Sequence, residues 1–357
     1  MSGPETKSTQ GAQLRGAALG VAAAALFGLS APLAKLLLGS VAPVLLAGML
    51  YLGAALGLWG LRLLRRPSKE AGLSRADIPK LVGVVVAGGL LGPVLMLLGL
   101  QRVTALTGSL LLNLEAPFTV LLAVVVFKEH LGRYAAAAAG FILAGALVLK
   151  LEPGALGADT AGVVLLAAAC LCWGIDNNLT QRLSLKDPFA IVRVKTLAAG
   201  SVNTLLGFAV GGAVLPPLSI AGAVLLVGCL GYGVSVVLDA FALRLVGAAR
   251  EAAYFATAPF LGALASLPLF GDSLRWFDGL AMLFMAAGVV LLLCERHGHR
   301  HTHDAMQHEH LHVHDAHHLH EHDAQAPPGE PHNHQHRHDA LEHDHPHLPD
   351  AHHRHKH

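Results

Sequence analysis

Along the first 294 positions apolar residues come in long runs rather than in alternation, many of them near the ~20 residues that cross a hydrocarbon core as one helix. The runs predict ten helices, at about 15–38, 42–63, 79–100, 103–127, 134–150, 161–183, 188–210, 218–243, 246–270 and 275–294. A polar stretch, 1–14, precedes them. After Cys294 the pattern changes to polar residues throughout, down to His357. The expected fold class is therefore an all-α polytopic membrane protein. It has a five-helix unit at 15–150, a second at 161–294, and a His-rich tail at 295–357 with no apolar period, expected to be disordered. Arg15 followed by the Ala-rich run to Leu38 has the outline of a signal peptide. The run is too long for one and has a counterpart later in the chain, so it reads as the first span.

Composition agrees. Charged residues are 14% of the 357, against about a quarter in soluble domains. A net charge of +1 provides no basic footprint for nucleic acid. Cys170, Cys172, Cys229 and Cys294 all lie in apolar segments and read as small buried hydrophobes.

The two halves resemble each other. LEAPF (114–118) matches ATAPF (256–260), each starting twelve residues after an arginine, Arg102 and Arg244. FGLSAPLAK (27–35) matches WGIDNNLTQ (173–181), and Pro43 and Pro188 open corresponding helices. Five spans is an odd number, so the second half must cross the membrane upside down relative to the first, as in inverted-repeat transporters. With the N-terminus inside, the inner loops collect Arg62, Arg65, Arg66, Lys69, Arg75, Lys80, Lys128, Arg133, Arg182, Lys186, Arg244 and Arg250. The outer loops hold only Arg102, Lys150 and Arg275. The bias predicts cytoplasmic termini in an inner (plasma) membrane.

These residues resemble the EamA family of the drug/metabolite transporter superfamily. GSLLLNLEAPFTVLLAVVVFKEHLG followed by GFILAGALVL (140–149) is similar to that family's closing segment, with Pro117, Glu129, Gly140 and Gly145 in its pattern. The second half has Pro259, Asp272 and Gly288, Asp272 standing where Glu is usual. The resemblance covers about 15–294 and implies ten helices and export or exchange of small solutes.

Polar groups inside the spans carry the candidate chemistry. Glu115 sits mid-span, where an uncompensated charge costs several kcal/mol. Pro117 removes a backbone bond and is expected to kink the helix and free the Asn113 carbonyl. Asn113, Glu115 and Pro117 would then form an acceptor cluster for a proton, a cation or an ammonium group. The alternative is a protonated Glu115 bonded to a neighbouring helix. A second group is expected at the inner end: Asp176, Asn177 and Asn178 with Arg193, Lys195 and Asp239. Either these pair to close an inner gate, or Arg193 and Lys195 snorkel to the interface. Lys35 is expected to snorkel outward. Tyr51 and Tyr232 either contact solute or pack, and Gly-rich runs such as 83–92 allow close helix approach.

The tail holds every histidine but His130 of the 24. His297, His299, His301, His303, His308, His310, His312, His314, His317, His318, His320 and His322 form one cluster. His332, His334, His336, His338, His343, His345 and His347 belong to another, beyond Pro327, Pro328 and Gly329. Neutral imidazoles in this number are expected to bind divalent Zn, Ni or Co, at several exchangeable sites.

The expected function is secondary-active export of a small metabolite, such as an amino acid, with a metal-responsive tail. Divalent metal efflux is the first alternative, a membrane-anchored metal store or sensor the second. No catalytic constellation, G-x-x-x-x-G-K-[ST] loop or H-E-x-x-H motif occurs, so neither an enzyme nor a required cofactor is expected. The expected partners are the solute, the bilayer and metal ions at the tail, and a homodimer is compatible with the chain.

Overall fold

In a computed structural model, the described residues are 4–64, 71–126, 128, 132–150, 159–183, 186–210, 212, 214–246, 248–271, 273–294, 297–303, 306–312, 332–338 and 341–347. Arg65, Arg66, Lys69, Glu129, His130, Asp272, His314, His317, His318, His320 and His322 lie outside them.

The apolar runs form helices: α1 (Pro4–Leu37), α2 (Pro43–Leu64), α3 (Arg75–Leu100), α4 (Ala105–Val125), α5 (Arg133–Lys150), α6 (Thr160–Gln181), α7 (Pro188–Ala209), α8 (Leu218–Leu243), α9 (Arg250–Phe270) and α10 (Trp276–Leu293). Among the described residues nine are long and apolar enough to cross a membrane, and α5 is the shorter apolar tenth. Local capping explains several starts. Thr104, Asp159 and Asp187 each accept a backbone N–H of the first turn, and Pro43 and Pro188 sit where a missing N–H costs nothing. The outer surface is apolar. Leu283, mid-way along α10, is 70% exposed, as expected of a face covered by lipid rather than water.

Packing pairs the halves crosswise. α1 packs on α8 and α9, while α6 packs on α3 and α4; α2 lies against α7, and α5 against α10. The exchange is symmetric: α2 also meets α8, as α7 meets α3. Small residues permit the approach. A Cβ on Gly28 would lie 2.2 Å from the Ala258 oxygen on α9.

Four spans are irregular at matching places. α3 contains a π-helical segment (Val85–Leu91) and α8 another (Cys229–Val234). α4 tightens to a 3-10 turn (Leu112–Leu114) just before Pro117, and α9 breaks at Ala256–Thr257 just before Pro259. The predicted free carbonyl of Asn113 is thereby corrected. The 3-10 turn lets the Glu115 N–H reach the Asn113 and Leu112 oxygens, which is how a helix absorbs a proline without orphaning an acceptor.

Both ends of the bundle are tied. At the end carrying Arg62 and Arg182, the Asp187 N–H donates to the Ala71 oxygen (2.9 Å) and Lys186 pairs with Asp77 (3.5 Å). At the opposite end Arg102 pairs with Asp159 (3.0 Å), which holds the Asp159 carboxyl below its ordinary range. Lys35 does not snorkel. Its Nζ donates to the Leu100 and Val103 oxygens, supplying donors to carbonyls that the end of α3 leaves over.

In the tail four segments are extended: β1 (His297–His303), β2 (Met306–His312), β3 (His332–His338) and β4 (Leu341–His347). β1 pairs antiparallel with β4, and β2 with β3. Each ladder has two strands only, an arrangement that is marginally stable alone in water.

Candidate functional site

The 3-10 turn in α4 and the close contact of α6 on α4 together place Glu115. Gly174 allows that contact, since a Cβ there would lie 3.1 Å from the Thr119 nitrogen. Asn177 Nδ2 on α6 donates to Glu115 Oε1 at 2.7 Å. It also lies 3.4 Å from Thr119 Oγ1, whose own hydroxyl donates to the Glu115 backbone oxygen at 2.8 Å. Glu115 is half-buried, deep in the bundle, while Asn177 is exposed at the α4–α6 seam. Thr119 follows Glu115 by four residues, one helical turn; that spacing was the available signal for it.

Asp176 precedes Asn177 but points to the other flank of α6. It pairs with Lys195 of α7, and Thr180 Oγ1 donates to its other oxygen at 3.2 Å. The pair is largely buried, Asp176 at 6% and Lys195 at 19% side-chain exposure, so neither charge is left to solvent. Lys195 therefore does not snorkel. The carboxylate lies against the α3 π-segment, where a Cβ on Gly88 would come within 2.0 Å of Asp176 Oδ2. The Gly88 oxygen accepts from Tyr51 (2.9 Å) and from Trp173 Nε1 (3.2 Å). The next two carbonyls of the segment, Gly89 and Leu90, each lie 3.4 Å from Asn203 Nδ2. The widened turn thus faces a ring of donors from α2, α6 and α7.

Beside this ring lies a narrow cavity of about 10 Å³, room for roughly one water, lined by Phe27, Ser30, Ser109, Trp173, Tyr232 and Pro259 among others. Tyr232 stacks obliquely on Tyr51 (5.7 Å) and edge-on to Phe27 (5.8 Å), and bonds Ser30. Ser109 Oγ is buried and has no hydrogen-bond partner in the described structure. A buried hydroxyl left unpaired costs about 1–3 kcal/mol, so the cavity presents a polar atom with nothing to bond.

The other predicted residues go elsewhere. Asn113 turns to α10, Nδ2 donating to the Leu110 oxygen (2.9 Å) and lying 3.8 Å from Met285 Sδ, so it does not join Glu115. Asn178 braces α6, donating to the Gly174 and Thr119 oxygens. Arg193 donates back to Phe189 of its own helix (3.3 Å) rather than to Asp176. Asp239 faces Glu251 across α8 and α9, away from Lys195, and its buried Oδ1 has no hydrogen-bond partner among the described residues. Glu251 was not among the expected residues, for it lies near the start of its span beside Arg250 and reads as interface. Pro117 is buried at the α4 irregularity. Among the described residues no three His, Cys, Asp or Glu converge as a metal site.

Comparison with known proteins agrees with this architecture. The EamA-like transporter family pattern matches residues 14–151 and again 160–294. An uncharacterized transporter of Methanothermobacter thermautotrophicus is 28% identical over 288 residues, covering 76% of this chain and 84% of its own length. A protein of known crystal structure superposes with a TM-score of 0.59 at 19% identity, over 78% of this chain and 96% of that one; at this identity the likeness shows the fold. The two matches span most of the chain, which is a member of the EamA-like transporter family, within the drug/metabolite transporter superfamily.

Proposed function

We propose that this protein is a secondary-active exporter of a small amine-bearing metabolite, such as an amino acid. Glu115 is the group that holds a proton in one state and the solute's ammonium in another. The observation that carries this reading is the Glu115 carboxylate itself, mid-way along α4, bonded across the halves to Asn177 and close to the Asp176–Lys195 pair. With that pair internally neutral, an ionised Glu115 leaves one negative charge in a low-dielectric setting. A proton or a monocation removes it. The polar, accessible seam at Asn177 and Thr119 supports a hydrated path to Glu115, because lipid contact there would be costly.

The crosswise packing and matched irregularities support two inverted five-helix repeats that rock about the central site. The basic loops support cytoplasmic termini. The tail binds divalent Zn, Ni or Co and adjusts transport to their level. Metal as the cargo is less well supported, since amide, hydroxyl and ammonium neighbours are a poor donor set for such cations. Ten helices packed as exchanging halves also exceed what an anchor for a metal store needs.

The test is uptake of labelled amino acids and amines into inside-out vesicles, with and without a pH gradient. Glu115→Gln is expected to insert normally and to lose the response to the gradient, with Glu115→Asp keeping part of it. Undiminished gradient-driven uptake by the Gln variant would assign Glu115 a structural role. Absence of uptake for every solute tried would return the membrane part to an anchor. A chain ending at Cys294 is expected to keep transport and lose its response to buffered Ni, Co or Zn.

A further inference from the structure

Resting on the reading of the solute as an amine, we propose that the water-sized cavity beside Tyr232 is a second holding point for its ammonium group, on the Arg102 side of Glu115. Two oxygens with unmet hydrogen bonds meet there. Pro32 has no N–H, so the Gly28 carbonyl of α1 loses its helical donor four residues on. Ser109 of α4 is 1% exposed, and its Oγ has no hydrogen-bond partner among the described residues. Gly28 and Ser109 both line the cavity. Their oxygens also face one point on α9: a Cβ on Gly262 would lie 2.5 Å from the Gly28 oxygen and 3.2 Å from Ser109 Oγ. They are thus no more than about 6 Å apart, a span that one nitrogen donating over ~2.9 Å to each can bridge.

The second half shows what the first half lacks. In the match of FGLSAPLAK with WGIDNNLTQ, Gly174 stands for Gly28 and Asn178 for Pro32. Asn178 Nδ2 donates to the Gly174 oxygen at 2.8 Å, so an amide N–H of the chain serves that carbonyl. Pro32 offers the Gly28 oxygen neither a backbone nor a side-chain N–H. A ligand N–H fills the place that Asn178 fills in the other copy.

An ammonium group suits this set. It has three donors and no acceptor, and the carbonyl and the hydroxyl oxygen both accept. Phe27, Trp173 and Tyr232 also line the cavity, and aromatic faces attract a cation within ~6 Å. A volume of about 10 Å³ admits the head of an amine, while the rest of the solute stays outside it. Ser109 precedes Glu115 by six residues, about 9 Å along α4. The ammonium then passes between a neutral oxygen pair and a carboxylate on one helix.

The test uses the full chain in lipid nanodiscs with methylammonium chloride as the probe and potassium chloride at equal ionic strength as the control. Apparent Tm is followed against concentration, since a ligand of the folded form raises it. In the Glu115→Gln chain, where the carboxylate is gone, methylammonium is expected still to raise Tm saturably, and potassium to give less than half the rise. Adding Ser109→Ala or Pro32→Ala is expected to raise the half-saturating concentration about tenfold or more, the loss of one hydrogen bond to a charged group. Neither change threatens the fold, since one removes an unpaired hydroxyl and the other returns an N–H to the Gly28 oxygen. A response of the unaltered chain that vanishes in Glu115→Gln and ignores Ser109→Ala overturns this site and leaves the Glu115 reading standing. An equal response to potassium overturns the ammonium assignment. No response in any chain overturns both readings, and a lowered Tm for Ser109→Ala would then mark a lone buried water in the cavity.

Discussion

Where α6 meets the π-segment of α3, Gly88 faces the carboxylate of Asp176; where α1 meets the π-segment of α8, Gly231 faces Ser30. Aligning FGLSAPLAK with WGIDNNLTQ puts Ser30 and Asp176 at the same repeat position. The same backbone device, a small residue in a widened turn beneath a polar side chain, is built twice. One copy holds a charge paired with Lys195. The other holds a hydroxyl that donates to the Phe27 oxygen at 2.6 Å and bonds Tyr232. Glu115 repeats the lesson, since its counterpart by the proline alignment is Thr257, whose hydroxyl donates to the Tyr254 oxygen at 2.6 Å. The scaffold is symmetric and the charge is not, so the asymmetry belongs to the proposed solute site rather than to the fold.

The largest difference between the two copies is expected from removing the polar group. Asp176→Asn strands the Lys195 ammonium in a largely buried position, at a cost of about 3–5 kcal/mol. Ser30→Ala loses two neutral hydrogen bonds, to Phe27 and Tyr232, at about 1 kcal/mol each. Apparent Tm in detergent should drop steeply for the first and slightly for the second, and Lys195→Met should partly rescue Asp176→Asn. Equal drops would mean the ion pair contributes nothing beyond a hydroxyl.

Lys35 offers the next contrast, because it bonds carbonyls where Lys195 bonds a carboxylate. Lys35→Met is expected to cost about 1.5–3 kcal/mol through the freed Leu100 and Val103 oxygens. A loss as large as that of Asp176→Asn would show that Lys35 answers an anionic group as well.

Crowding the widened turns separates the copies again. Gly88→Ala drives a Cβ into Asp176 at 2.0 Å, with the Asp176 Cβ itself at 2.7 Å, so the short side chain cannot simply swing away. Overpacking of this kind costs about 1–3 kcal/mol, and transport should fall with it. Gly231→Ala meets the Ser30 Cβ at 2.7 Å and no charge, so a smaller loss is expected. If Gly231→Ala were the worse variant for transport, the active seam would lie on the α1 side.

The smallest effect is expected at Arg102→Ala. Its partner Asp159 is ionised at neutral pH with or without the arginine. The depressed carboxyl contributes fully above the ordinary carboxylate value and loses that contribution only as pH falls through its lowered one. Both side chains are about half exposed, at 54% and 40%. No resolvable Tm shift at pH 7 is expected. A clear shift would make this tie a part of closure at that end.

The ten spans, the two-fold internal likeness and the stretches that carry Glu115 and Asp176 are legible in the order of residues. Hydrocarbon thickness sets a length, and a polar residue inside such a length stands out against its neighbours. LEAPF and WGIDNN drew attention for that reason. Partnership was not legible. Arg193 and Lys195 are two residues apart on α7, so they face different sides of the helix. Only the position of α6 decides that Lys195 meets Asp176 while Arg193 turns back on Phe189. Asn113 and Glu115 are likewise two apart, and they part company, one toward Met285 and one toward Asn177.

Sequence alone determined what is local and additive: apolar length, the acidic and basic residues inside it, the odd number of spans per half, and the alternation of histidines after Cys294. Tertiary structure decided what depends on which surfaces meet. The π-segments, the cavity beside Tyr232, the Asp239–Glu251 pair and the tail register follow from contacts between residues far apart in the chain. Hydrophobic burial in a bilayer is indifferent to direction around a helix. Hydrogen bonds and ion pairs are directional, and their geometry exists only once the helices have packed.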